Sequence, residues 1–113
     1  MRRFTAVGRN SGFQCANCGR EVPPLGGPGC RNHCPHCLHS RHVDINPGDR
    51  ANDCGGLLEP VGVVVDSRKG YVIVHRCRRC GEVRRNKAAP DDPQAPDDFE
   101  LLLELSRRPV PDA

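Results

Sequence analysis

The chain has no tryptophan, one tyrosine and three phenylalanines among its 113 residues, which excludes a core built on aromatic packing. A domain this small, with so little to bury, commonly needs a metal or disulfide staple. Long apolar runs are absent too. The longest, Tyr71-Val72-Ile73-Val74, falls far short of the roughly 20 residues that cross a bilayer as a helix. The opening, Met1-Arg2-Arg3-Phe4-Thr5-Ala6-Val7-Gly8, runs into polar sequence without the apolar stretch of a secretory signal. A cytoplasmic setting with reduced thiols is therefore expected, and there the eight cysteines serve as metal ligands rather than disulfides. Catalytic signatures are missing as well: there is no His-Glu-x-x-His, no phosphate-cradling Gly-rich loop and no Gly-x-Ser-x-Gly elbow. The chain is not expected to be an enzyme.

What is present is three Cys-x-x-Cys pairs, Cys15/Cys18, Cys34/Cys37 and Cys77/Cys80. Two intervening residues let a tight turn aim both sulfurs at one ion, and two such turns complete the closed tetrahedral site that structural zinc prefers. Cys15, Cys18, Cys34 and Cys37 fit one such site, although iron in the same four-thiolate set is chemically possible. Cys77 and Cys80 need two more ligands, and Cys54, in the turn Asp53-Cys54-Gly55-Gly56, is the natural third. The fourth is open among His42, Cys30, His75 and His39. Cysteine counting favours Cys30, because eight thiols divide into two sites of four. Reach favours His42, which an extended run carries roughly 16 Å from Cys37, at about 3.3 Å per residue. His75, two residues before Cys77, reads otherwise as a group that orients a ligand. His33 and His36 flank Cys34 too closely to share its ion, whereas Asn32 and His33 suit hydrogen bonds to the knuckle and its sulfurs. A zinc held only by Cys54, Cys77 and Cys80 would leave a position for water, with His42, Asp44 or Asp49 as base, but no reaction class suggests itself.

The expected fold is small, mainly β and metal-stabilised: two zinc ribbons or knuckles with β-hairpins, two zinc ions and a short C-terminal helix. Residues 1–12 read as an N-terminal arm and residues 13–46 as a first ribbon, whose Cys turns are separated by Pro23-Pro24-Leu25-Gly26-Gly27-Pro28-Gly29. Residues 47–87 read as a second ribbon centred on a hairpin, with strands over 61–65 and 71–76 around the turn Asp66-Ser67-Arg68-Lys69-Gly70. The β-branched residues on both sides of that turn support the strands. Residues 88–113 read as an acidic tail. Prolines and acids over 88–96 suggest a mobile linker. A helix follows, capped by Asp97 or Asp98, acidic early at Glu100 and Glu104, basic late at Arg107 and Arg108, and stopped by Pro109. Its leucines are expected to pack on the host domain rather than to form a partner surface.

Charge is split along the chain. Residues 1–87 hold 15 Lys/Arg against 7 Asp/Glu, a net +8, and residues 88–113 hold 2 against 7, a net −5. The densest basic stretch is Arg76, Arg78, Arg79, Arg84, Arg85 and Lys87, with Arg68 and Lys69 in the hairpin turn. Arginine recognises phosphate through a planar fork, so this stretch is a candidate nucleic-acid surface. The competing reading is that these cations neutralise zinc-thiolate centres, since four thiolates on one zinc carry a formal −2.

Arg31-Asn32-His33-Cys34-Pro35 spells the signature of the RNHCP domain family of small bacterial proteins. Cys37-Leu38, Ser40, His42-Val43-Asp44, Pro47-Gly48-Asp49-Arg50, Cys54, His75-Arg76-Cys77 and Cys80-Gly81 are similar to that family's pattern, so the chain resembles the family over residues 13–92. The resemblance implies a zinc-binding module. Its signature begins at Arg31 and omits Cys30, which supports His42 as the fourth ligand. Pro47-Gly48-Asp49-Arg50 reads as a turn between the two centres.

The leading expectation is a zinc-binding module that docks on structured RNA, above all the ribosome, or on other nucleic acid. With few aromatics to stack on bases, shape and phosphate recognition would dominate over single-strand readout. The alternative is a protein–protein adaptor held rigid by two structural zinc sites, with the leucine-bearing tail or a hairpin edge engaging the partner. The acidic tail could also fold over the basic body and compete with nucleic acid.

Overall fold

A computed structural model describes residues 12–24, 26, 32–43 and 51–110. Residues 1–11 of the N-terminal arm, Cys30 and the turn expected at Pro47-Gly48-Asp49-Arg50 lie outside the described residues, as does most of the Pro/Gly connection. The architecture is mainly β with one short helix, as the sequence implies. Two short strands, β1 (Phe13–Gln14) and β2 (Glu21–Val22), form an antiparallel ladder around the first Cys turn. A second sheet has the order β3 (Ser40–Arg41), β4 (Leu57–Asp66), β5 (Gly70–Cys77) and β6 (Val83–Lys87), antiparallel throughout.

The β4–β5 hairpin is the expected one, longer at both ends. Asp66 closes its turn by accepting the backbone N–H groups of Arg68 (2.7 Å) and Lys69 (2.9 Å), and those donors hold its carboxyl below the usual range. Pairing shifts register between Pro60 and Gly62, a bulge placed where Pro60 has no N–H to give the ladder.

Alternation along the strands sorts the residues onto two faces. Val63 pairs with Ile73 and Ile73 with Asn86 on one face, while Val64 pairs with Val72 and Val72 with Lys87 on the other. The first face carries the core: Leu38, Val63, Ile73, Ala88, Leu102 and Leu105, with Tyr71 and Leu101 packed against it. This cluster draws residues from the first Cys region, the hairpin and the tail alike. Phe13, Cys15, Val22 and Cys34 make a second, smaller cluster.

Helix α1 (Phe99–Ser106) begins as expected, with Asp98 as N-cap accepting from Leu101 N. It buries Leu102 and Leu105 fully. Residues 88–96 correct the expectation of a mobile linker. The carboxylates that seemed to resist compaction act as acceptors for the loop's own amides: Asp92 takes Gln94 N and Ala95 N, Asp97 takes Ala89 N, and Asp97 N returns to Ala89 O. Asp92 also accepts from Gly26 N, and Asp98 N donates to Pro35 O. The tail is thus fastened to the Cys34 turn and to the connection that precedes it, on the face opposite Arg85 and Lys87.

Two candidate metal centres

The three Cys-x-x-Cys turns share one backbone design. The first cysteine's N–H donates to the carbonyl five residues on, from Cys15 to Arg20, Cys34 to His39 and Cys77 to Glu82. Its carbonyl accepts the amide four residues on, from Gly19, Leu38 and Gly81. Its sulfur receives the amide two residues on, from Asn17, His36 and Arg79, each at 3.4 Å. Amides aimed at sulfur favour the thiolate, which is the metal-binding form. The residue after the second cysteine must take the left-handed conformation, and Gly19 (φ 79), Leu38 (φ 63) and Gly81 (φ 81) do so. Two are the glycines that conformation favours. The third is a leucine, fully buried in the core: packing of its side chain holds a backbone that costs a non-glycine residue on the order of 1 kcal/mol.

The folded turns produce two groups of four ligand atoms, each group lying within 4.8 Å: Cys15, Cys18, Cys34, Cys37, and His42, Cys54, Cys77, Cys80. In the first, Cys15 Sγ lies 3.6 Å from Cys37 Sγ, and Cys18 Sγ 3.7 Å from Cys34 Sγ. In the second, Cys54 Sγ lies 3.7 Å from Cys77 Sγ, and His42 Nδ1 3.4 Å from Cys80 Sγ. A tetrahedral ion with sulfur bonds of about 2.3 Å separates its sulfurs by about 3.8 Å. The donor sets and spacings therefore fit two four-coordinate metal ions. The seven described cysteines are free thiols.

His42 reaches the second group because β3 pairs with β4, and beyond β3 the ladder continues: His42 N donates to Gly56 O and Gly55 N to His42 O, both at 2.8 Å. Its Nε2 faces Glu82 Oε1 at 3.5 Å and the Asn52 side-chain amide at 3.3 Å. The carboxylate is the kind of acceptor that fixes a ligating imidazole from behind. Asn52 Oδ1 in turn holds Cys54 N at 2.8 Å. Burial opposes ionisation of Cys77, but the amides of Cys80 and Arg79 and the neighbouring thiols outweigh it and bring the thiol down to about 6. Burial pushes Cys34 well up, so binding a metal there must displace a proton.

Sequence reasoning missed Gly56. A Cβ at this position would lie 2.6 Å from Cys77 Sγ and 3.4 Å from Cys54 Sγ, so the chain crosses directly over the second group. The Gly-Gly doublet after Cys54 was the available signal.

The remaining histidines fall outside both groups. His39 Nδ1 contacts Cys37 O, and His36 is exposed. His75 is fully buried. Its Nε2 donates to Leu38 O at 2.6 Å and its Nδ1 accepts from Asn86 at 3.2 Å, and burial drives it down to about 4, leaving it neutral. Asn32 and His33 correct the expectation that they serve the knuckle sulfurs. Asn32 Nδ2 donates to Asn86 Oδ1 at 2.7 Å, and His33 lies between Asn32 Oδ1 (3.1 Å) and buried Asp97 Oδ2 (2.8 Å). Both side chains are turned onto the sheet face and the tail, away from the sulfurs.

The six basic residues are not brought together as one surface. Arg85 pairs with Val74 and Lys87 with Val72, so both share a face with Arg76, and all three are exposed. Arg79 is exposed on the adjoining Cys77 turn, and Arg78 there pairs with Glu59 at 3.3 Å. Arg84 lies on the opposite face, three-quarters buried and paired with Glu82 at 3.1 Å.

A family model described as the RNHCP domain matches residues 10–96. No curated protein and no solved structure matches the chain. Among the described residues no helix is long and apolar enough to cross a membrane.

Proposed function

The chain belongs to the RNHCP domain family, and from that premise and its two ligand groups we propose a two-zinc structural module that docks on structured RNA, with ribosomal RNA as the first candidate. Zinc is the metal that closed sets of four thiolates, or three thiolates and one imidazole, suit best in reducing cytoplasm. With all four positions filled by protein, neither ion keeps a site for water, so the ions hold the fold rather than perform catalysis.

The observation that carries the RNA reading is the row of Arg76, Arg85 and Lys87 on one sheet face, continued by Arg78 and Arg79 on the Cys77 turn. An antiparallel sheet spaces such residues regularly, and the rigid turn beside it fixes two more cations. A phosphate backbone is the partner that rewards this arrangement. The fold leaves few aromatics to read bases, which fits recognition of shape and backbone.

Native mass spectrometry should find two zinc ions per chain in a colourless protein, and one in His42→Ala. Binding to ribosomal RNA should weaken steeply with salt. The triple variant Arg76→Gln/Arg85→Gln/Lys87→Gln should lower the salt slope by about one for each contact removed. Salt-insensitive binding, or an unchanged triple variant, would overturn the RNA reading.

One observation favours the adaptor as the second reading. Helix α1 leaves Phe99 and Leu103 exposed, and Phe99 meets Tyr71 edge-on at 5.5 Å. In a chain with four such aromatic rings, placing one at the surface suits contact with protein.

A further inference from the structure

At the turn end of the hairpin, on the face that carries Arg85 and Lys87, a groove is lined by Val64, Val65, Asp66, Lys69, Val72, Arg85 and Lys87. Its position follows from register. Val64 pairs with Val72 and Val72 with Lys87, which sets two valines and a lysine in a row across three strands. Val64 is half-buried and Val72 buried on this face, whereas Val65 pairs with Tyr71, belongs by alternation to the other face and borders the groove only at its rim, where it is 71 % exposed. Lys69 comes from the turn, and Arg85 and Lys87 come from β6, the edge strand of the sheet. Three cations thus surround an aliphatic floor. The single acid, Asp66, already accepts the amides of Arg68 and Lys69 through Oδ1.

Duplex RNA presents phosphates and a shallow groove, and neither makes use of an aliphatic floor. A ligand that complements this groove has an apolar body flanked by anions, the shape of an unpaired nucleotide between its two phosphates. We infer that this groove holds an unpaired nucleotide of a structured RNA, with the base over Val64 and Val72 against the rim at Val65 and the flanking phosphates on Lys69, Arg85 and Lys87. The inference rests on the RNA reading above and narrows it to RNA carrying a bulge or loop. Lys69, which lies ten residues before Arg79 and outside the dense basic stretch, becomes a binding residue. Aliphatic contact carries no hydrogen-bond code, so preference among the four bases is weak.

The test uses the zinc-loaded full chain and three synthetic RNA duplexes of equal length: one fully paired, one with a single-nucleotide bulge, and one with the same bulge made abasic. The bulged duplex should bind about tenfold more tightly than the paired one, and the abasic bulge should lose that advantage. Val64→Ser should abolish the preference while leaving the salt slope intact. Lys69→Gln should weaken the bulged duplex more than the paired one. Equal affinity for the three duplexes, or a preference untouched by Val64→Ser, overturns the inference while the RNA reading stands. Failure of all three to bind with salt dependence overturns the RNA reading itself.

Discussion

His75 Nε2 lies 2.6 Å from the Leu38 carbonyl oxygen, a hydrogen bond from the strand that delivers Cys77 to the residue that follows Cys37. One neutral imidazole thereby links the backbone of one ligand group to the strand of the other. Asn86 holds its second nitrogen, Asn32 holds Asn86, and His33 continues the chain to Asp97. A polar relay of this kind inside a core is stable only when each member has its partner.

His75→Phe keeps volume and apolar character but leaves the Leu38 carbonyl and the Asn86 amide without that partner. Stability of the metal-loaded protein should fall by about 1–3 kcal/mol, the cost of an unsatisfied buried polar group. Denaturant unfolding would read the loss, and native mass spectrometry should still count two ions. Loss of an ion in this variant would instead make His75 indispensable to metal binding.

Leu38 should invert the usual order of truncations. Leu38→Ala removes a fully buried side chain, with a loss of about 2–5 kcal/mol, and keeps a Cβ in the left-handed region. Leu38→Gly removes the same side chain and relieves the backbone, so it should be more stable than the alanine variant by about 1 kcal/mol. Equal stabilities, or alanine above glycine, would show that the turn bears no conformational cost there.

Much of this was legible in the sequence, and the limits have physical causes. Cysteine spacing identifies the turns because each is a local structure of about six residues. Reach favours His42 over Cys30 without closing the choice, since an extended segment has few places to go while cysteine counting points the other way. The β4–β5 hairpin and the Asp98 cap follow from β-branched runs and a short acidic cap, both local signals. β6 was not legible: Val83-Arg84-Arg85-Asn86-Lys87 has no apolar alternation and becomes a strand only because β5 offers its edge. The role of Asp97 was hidden as well, because its partner His33 lies 64 residues away and loop composition says nothing of long-range pairing.

Gly56→Ala should cost the second ion and spare the first. The added methyl would meet Cys77 Sγ and the Arg79 side chain, each at 2.6 Å, and neither can yield without moving a ligand turn. The expected readout is one tightly held ion per chain, with affinity at the His42 group reduced at least tenfold. Competition with a chromophoric chelator would measure it. Retention of two tight ions would mean that the turn at Cys54 adjusts freely, contrary to its bonds with Asn52 and His42.

The tail is a structural member, so removing it should not expose a latent binding surface. Deleting residues 97–113 removes Leu102 and Leu105 from the core together with the buried partner of His33. The truncated chain should lose cooperative unfolding rather than gain RNA affinity. A finer test compares Asp97→Asn with Asp97→Ala. The amide keeps an oxygen for Ala89 N or His33, whereas alanine leaves both donors, the half-buried Ala89 amide and buried His33, without that acceptor, and the second loss should exceed the first by roughly 1–3 kcal/mol. Hydrogen exchange at the Ala89 amide reports the same bond directly, and its protection should fall further in the alanine variant. If both variants matched the wild type in stability and exchange, the segment would be a tether after all, and its acids would be available to compete for the basic face.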